Sequence, residues 1–425
     1  MMSPASVQDD GSRVVASPLA NVEAPANVGV AVARVALLGV LVSMLMSTSV
    51  SVGFEFLSYI AFAALPEPRR RLIRALRSPI VIAWLPFAIV VFIGIFYGAT
   101  SWANALSALA GWRRMLLLPL AAAVFDDELS KRLACKVFVA ICVLCAAVSF
   151  VTLATGYSIL RTEPGIPFHN YAVQGISLAV AITICIAALV RPETFAGDRW
   201  LGDRRIMAVA AAVMMVDVVF VLRGRSGYLS LIIMVVAVVT FLVRGSWRVK
   251  AGAGLAALVC GGLVLVSSPH VRSRVGEAVH DIKTVDEARG ATSLGFRVVF
   301  ARNTLRMVRD HPLFGVGTGG FLDGYLPYVQ GVSGWKGDGT GDPHDQFLKI
   351  LGEQGVIGLA AFLFLIGRAA TCPAPMPFRQ IGVAILVGWC ATSLANSHFS
   401  TYVEGRLVFF WLGAMLATQI PARTS

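Results

Sequence analysis

The chain has 425 residues, 57% hydrophobic and 14% charged, and its 36 Lys and Arg against 24 Asp and Glu give a net charge of +12. Its mean hydropathy is +0.75, and a soluble domain carries roughly 25% charged residues. These values exclude an ordinary cytosolic enzyme, a disordered chain and a disulfide scaffold.

Apolar runs of about 20 residues recur from end to end, the length demanded by a hydrocarbon layer about 30 Å thick. They are continuous rather than alternating, so the spans are helices and not barrel strands. The sequence predicts an all-α polytopic membrane protein. A charge of +12 in a soluble protein would suggest nucleic acid. Here basic residues gather in the loops between apolar runs, where they set topology, and no nucleic-acid partner is expected. Cys135, Cys142, Cys145, Cys185, Cys260, Cys372 and Cys390 lie in or beside apolar runs and read as small core residues, not a disulfide or zinc set.

In chain order, residues 1–27 are polar and Ala/Pro-rich, expected to form a cytoplasmic tail. The first apolar run reads as a retained span rather than a cleaved signal. Hydropathy places about 12 spans, near 28–47, 49–65, 79–97, 115–125, 132–153, 170–190, 206–222, 226–243, 250–268, 346–367, 380–396 and 405–420. The membrane domain then covers 28–268 (spans one to nine) and 346–420 (spans ten to twelve), with 421–425 as a cytoplasmic tail. With the N-terminus inside, cytoplasmic loops hold Arg69, Arg70, Arg71, Arg74 and Arg77, then Lys131, Arg132 and Lys136, and further basic groups at 191–205, 244–250 and 368–379. Arg113 and Arg114 are the exception, falling outside. Charge within the spans is sparse: Glu55, Asp217 and Lys349 are the main cases.

Residues 269–345 are too polar to span and are expected to form one large, partly helical outer loop. A loop of that length is usually functional or has its own fold. Helical periodicity over 294–310 puts Arg302, Arg306 and Arg309 on one face, suited to anionic headgroups. A glycine-rich turn follows, His311-Pro312-Leu313-Phe314-Gly315-Val316-Gly317-Thr318-Gly319-Gly320, whose glycines permit close backbone approach to a ligand. The loop ends at Pro343-His344-Asp345, where an apolar helix begins.

Four features carry chemistry. His344 stands at the outer mouth of a span beside a helix N-terminus, whose positive end favours the uncharged imidazole that a general base needs. The alternative is a solvated interfacial histidine or a cap. Arg223-Gly224-Arg225-Ser226-Gly227 joins two apolar runs. Two arginines in so short a hairpin are either interfacial anchors or ligands of phosphate and pyrophosphate oxygens. Arg297 precedes the basic stripe and is separate from it. Arg161, in the outer loop running to His169 and Asn170, is either a further phosphate contact or the partner of Glu163. Asp338, Asp342 and Asp345 near His344 offer a cation site, although glycine-rich acidic loops are commonly just solvated. No phosphate loop of the GxxxxGK[ST] type and no HExxH occurs, so neither ATP hydrolysis nor zinc is expected.

These residues resemble the O-antigen ligase family of bacterial envelope glycan enzymes, whose relatives include O-antigen polymerases and protein O-oligosaccharyltransferases. The likeness is clearest over 294–360: Phe296-Arg297, His311-Pro312-Leu313-Phe314-Gly315-Val316-Gly317, His344 with Phe347-Leu348, and Glu353-Gln354-Gly355-Val356-Ile357-Gly358. Arg223-Gly224-Arg225-Ser226-Gly227 is similar to the family's Ser-Arg-Gly type motif. Where the family commonly has Asn after the histidine, this chain has Asp345.

The resemblance implies a GT-C-like bacterial inner-membrane enzyme with its site facing the periplasm. It implies an undecaprenyl-pyrophosphate-linked glycan donor and a lipid A–core acceptor, with no cofactor. Carried over, His344 is the general base, Arg225 or Arg223 with Arg297 hold the pyrophosphate, and Arg161 is an added contact. A polymerase or protein glycosyltransferase would use the same donor. A lipid-linked sugar transporter, from a different class, would line its spans with charge.

Overall fold

A computed structural model describes residues 28–98, 100–159, 163–167, 169–222, 224–267, 272 and 292–419. Every regular element among them is a helix. The helices are α1 (Val28–Ser43), α2 (Thr48–Ala64), α3 (Pro66–Ala75), α4 (Pro79–Ile93), α5 (Trp102–Trp112), α6 (Leu117–Val124), α7 (Glu128–Thr155), α8 (Tyr171–Val190), α9 (Pro192–Phe195), α10 (Arg204–Val216), α11 (Arg225–Leu242) and α12 (Trp247–Ser267). After 292 come α13 (Ser293–Asp310), α14 (Phe321–Tyr325), α15 (Gln346–Ala370), α16 (Phe378–Thr392) and α17 (Tyr402–Leu416).

Among the described residues, α7, α8, α15 and the stretch Trp247–Val264 of α12 are long and apolar enough to cross a bilayer. A fifth crossing is counted if α2 and α3, bent by 94°, form one broken span. The bend has a local cause. Pro66 disfavours helical backbone at the residue before it, and Leu65 is extended (φ −91°, ψ 128°). The other expected spans hold shorter helices. A 15-residue helix such as α4, at about 1.5 Å per residue, falls short of a layer about 30 Å thick. The segment expected at 115–125 is a 3-10 turn over Arg113–Leu116 followed by the eight-residue α6. The one at 206–222 ends in a π turn over Asp217–Val221. Asp217 is buried there and accepts a hydrogen bond from Gln174 at 3.1 Å.

The main core runs through α1, α4, α6, α7, α8, α16 and α17. Helices α8 and α11 meet where Gly175 faces Gly227: a Cβ on Gly175 would stand 2.9 Å from the Gly227 Cα. Small residues bring the two backbones together as in other membrane helix pairs. The segment after 292 has its own small core, made of Phe300, Met307, Val316, Phe321, Tyr325 and Val329.

The glycine turn is locked into a break in α15. Gly355 has φ 66° and ψ −165°, a conformation open essentially to glycine alone. The turn supplies the hydrogen bonds that the broken helix lacks: Val356 and Ile357 donate N–H to Pro312 and Leu313, while Val316 and Gly317 donate to Gly352 and Glu353. On its other side Thr318 donates its N–H to Gly94 and its hydroxyl to Val91 in α4. The sequence led us to expect close approach of these glycines to a ligand. The approach is instead to protein backbone, since a Cβ at Gly315 would stand 2.5 Å from the Gly352 carbonyl oxygen, and one at Gly317 would strike Gly98.

Candidate active site

His344 is exposed and sits just before α15 with φ 55°. Positive φ is uncommon for a residue with a side chain, and a short network holds it. The His344 N–H donates to Asp342 Oδ1 at 2.8 Å. Ser397 donates to the same oxygen at 2.6 Å, and Lys349 donates to Oδ2 at 3.1 Å. Burial works against ionisation of Asp342, but Lys349 and these hydrogen bonds prevail and hold its carboxyl below the usual carboxylate range. Asp345 caps α15 by accepting the N–H of Phe347 and Leu348. Burial raises its carboxyl. Of Asp338, Asp342 and Asp345, read from sequence as a possible cation site, Asp342 and Asp345 are thus engaged by Lys349, Ser397 and the helix start, and Asp338 is exposed.

The imidazole of His344 lies 6.2 Å, centroid to centroid, from the Phe300 ring. Phe300 stands on α13 one turn after Arg297, so the two share a helix face. Arg297, half-buried, therefore belongs to the same quarter of the molecule as His344. Arg302, Arg306 and Arg309 are exposed along the helix, as the basic stripe predicts. Arg225 opens α11, and its backbone alone is described. Arg223 and Arg161 lie outside the described residues.

Several helices begin at this end of the bundle. The starts of α2, α8 and α17 surround a cavity of about 480 Å³ lined by Thr48, His169, Asn170, Tyr171, Asn396, Thr401, Tyr402 and Glu404 among others. Contacts tie it to both candidate motifs. A Cβ on Gly224, between the two arginines of the hairpin, would stand 2.7 Å from the Tyr171 ring. Asn396 adjoins Ser397, which binds Asp342. Gln346, buried at the start of α15, receives the N–H of Phe399 and Ser400 on its side-chain oxygen at 3.0 Å each and so joins the two loops.

Sequence reasoning missed a buried charge cluster nearby. Glu55 of α2 pairs with Arg406 of α17, whose Nε donates at 2.8 Å. Tyr59 donates to Glu55 at 2.6 Å, and Arg113 lies 3.3 Å from it. Arg114 donates to the Ser400 carbonyl at 2.6 Å. Arg113 and Arg114, the exceptions to the charge pattern of the loops, are therefore tied to the protein, Arg114 buried and Arg113 half-buried. The sparse intramembrane carboxylate Glu55 and the out-of-pattern Arg113 and Arg114 were the sequence signals, and the partner Arg406 is 351 residues from Glu55.

Residues 210–363 match the family model described as O-antigen ligase. The similarity to the O-antigen ligase family covers this segment of the chain. The segment contains the Arg223–Gly227 motif, Arg297, the glycine turn and His344, whereas Ser397 and the residues that line the cavity lie outside it. A search of the curated proteins finds no match.

Proposed function

We propose that the protein is a lipid-linked glycan transferase of the O-antigen ligase type. It moves glycan from undecaprenyl pyrophosphate to a sugar hydroxyl of lipid A–core at the periplasmic face of the bacterial inner membrane. The observation that supports this best is the placement of His344: exposed, held in a positive-φ turn, and linked through Asp342, Ser397 and Asn396 to a polar cavity whose other wall touches Gly224. The proposed topology has 12 spans, with 269–345 outside, so that the shorter apolar helices join neighbouring turns to complete the crossings.

In this reading His344 takes the proton of the acceptor hydroxyl as its oxygen attacks the anomeric carbon. The bond from that carbon to pyrophosphate breaks, and undecaprenyl pyrophosphate departs with the electron pair. Arg225 or Arg223 with Arg297, aided by Arg161, compensate the anionic leaving group. In-line displacement inverts the anomeric configuration. Neither ATP nor a metal takes part.

The test is the lipopolysaccharide banding pattern and undecaprenyl-linked glycan pool of a deletion strain complemented with variants. Wild type restores the O-antigen ladder. His344→Ala does not, although it accumulates in the membrane normally, and long lipid-linked polymer builds up. Arg225→Ala and Arg297→Ala weaken donor use more than acceptor use. A full ladder with His344→Ala removes the general base. Core bearing a single repeat in the deletion strain makes the protein a polymerase, and a normal ladder directs attention to glycoproteins.

A further inference from the structure

His169 and Asn170 carry no role in the chemistry above, yet they help to build the cavity at the starts of α2, α8 and α17. The cavity volume of about 480 Å³ lies within the range of about 300–1,000 Å³ found for small-molecule sites.

Its lining has a distinct chemistry. Tyr171 leaves 49% of its surface exposed, and an amphipathic ring of this kind offers an apolar platform with a polar tip. The Nε2 of His169 is buried without a hydrogen-bond partner among the described residues, and the residue is held at φ 43°. A buried polar atom of this kind calls for a partner. Burial lowers the basicity of His169, opposed by the nearby Glu404 carboxylate, so the ring can accept or donate as a neutral group. Asn396 adds an amide, and Thr48 and Thr401 add hydroxyls.

Glu404 decides between ligand classes. It lines the cavity, with the buried imidazole of His398 3.8 Å away. A carboxylate accepts hydrogen bonds from hydroxyls and repels phosphate. The combination of aromatic platform, amide, imidazole and carboxylate suits a polyhydroxylated ring and not the pyrophosphate. The placement agrees, because one wall touches Gly224 of the arginine hairpin and the other adjoins the loop bound to Asp342 beside His344.

We propose that this cavity seats a pyranose ring of one of the two glycan substrates, with Tyr171 as its platform and Asn396, His169 and Glu404 as its hydrogen-bonding groups. The identity of the ring as a substrate rests on the transferase reading; the binding itself does not. Two sources supply the same chemistry, the first sugar of the donor and the terminal sugar of the acceptor.

The experiment uses the purified full chain in lipid nanodiscs. Saturation-transfer NMR measures binding of methyl pyranosides, a panel of hexoses and N-acetylhexosamines, to wild type, Asn396→Ala and Tyr171→Ala. Both side chains are partly exposed, and retained melting behaviour verifies the fold. Wild type binds at least one pyranoside, and each variant loses about tenfold in affinity, as expected for one hydrogen bond or one stacking contact. Equal binding by all three proteins, or no pyranoside binding by wild type, overturns the proposal.

Transfer assays with undecaprenyl-pyrophosphate-linked glycan and lipid A–core then distinguish the source. A KM rise for the donor alone seats the donor sugar, and a rise for the acceptor alone seats the acceptor sugar. Transfer with both KM values unchanged in both variants removes the cavity while the transferase reading stands. Pyranoside binding that depends on Asn396 and Tyr171, without transfer by wild type, leaves the cavity and removes the transferase reading.

Discussion

Replacing Gly355 by alanine tests the lock between the glycine turn and the break in α15. At φ 66° and ψ −165° a side chain is strained by about 1–3 kcal/mol. The added Cβ would also collide with the Leu313 carbonyl and stand 2.6 Å from the Phe314 nitrogen. Neither can retreat cheaply, because both are backbone. Moving the turn away breaks the bonds from Val356 N–H to Pro312 (2.9 Å) and from Ile357 N–H to Leu313 (3.3 Å), each contributing about 0.5–1.5 kcal/mol. The expected loss is about 2–6 kcal/mol of folding free energy. Gly367→Ala is the matched control. It lies in the same helix with open space where its Cβ would go, so it is expected to be neutral or to stabilise by up to about 1 kcal/mol. Both variants are unfolded in mixed micelles by denaturant, with wild type alongside. Equal stability of Gly355→Ala and Gly367→Ala would refute the lock and return the glycines to a ligand-facing role.

Further outcomes are expected. Glu55→Ala leaves Arg406 buried without its carboxylate, at a cost of about 3–5 kcal/mol. The double variant Glu55→Met with Arg406→Met recovers much of that loss on the same unfolding assay, and no recovery would show that Arg406 has another obligatory partner. Asp342 has a carboxyl depressed by Lys349 against the opposing effect of burial. Its contribution to stability is present above the unfolded carboxylate value of about 3.9 and disappears as pH falls through the lower folded value. Asp342→Asn therefore narrows its gap from wild type in melting temperature below about pH 4. A gap independent of pH between about 7 and 2 would mean that the charge of Asp342 does not act.

Much of this protein was legible along the chain because its physics is local. Continuous apolar runs announced a helical membrane protein. Asn170, Asp203 and Asp345 each cap the helix that follows them. His344, Arg297 and the Arg223–Gly227 hairpin were marked by residue type against an apolar background. What local reasoning cannot supply is who faces whom. The glycine turn looked like a ligand cradle because glycine permits close approach to anything, and only the fold shows that the neighbour is the broken backbone of α15. Arg113 and Arg114 looked like misplaced loop charges until Glu55 and Ser400 were brought against them. The span read from hydropathy at 206–222 likewise ran through the turn at Asp217–Val221, since the four residues after Asp217 are as apolar as the helix that the turn ends. The cavity at His169 assembles from helix starts more than 300 positions apart, from Thr48 to Glu404. Residue composition therefore determined the medium and the helices, and long-range packing alone decided which of the scarce polar groups meet.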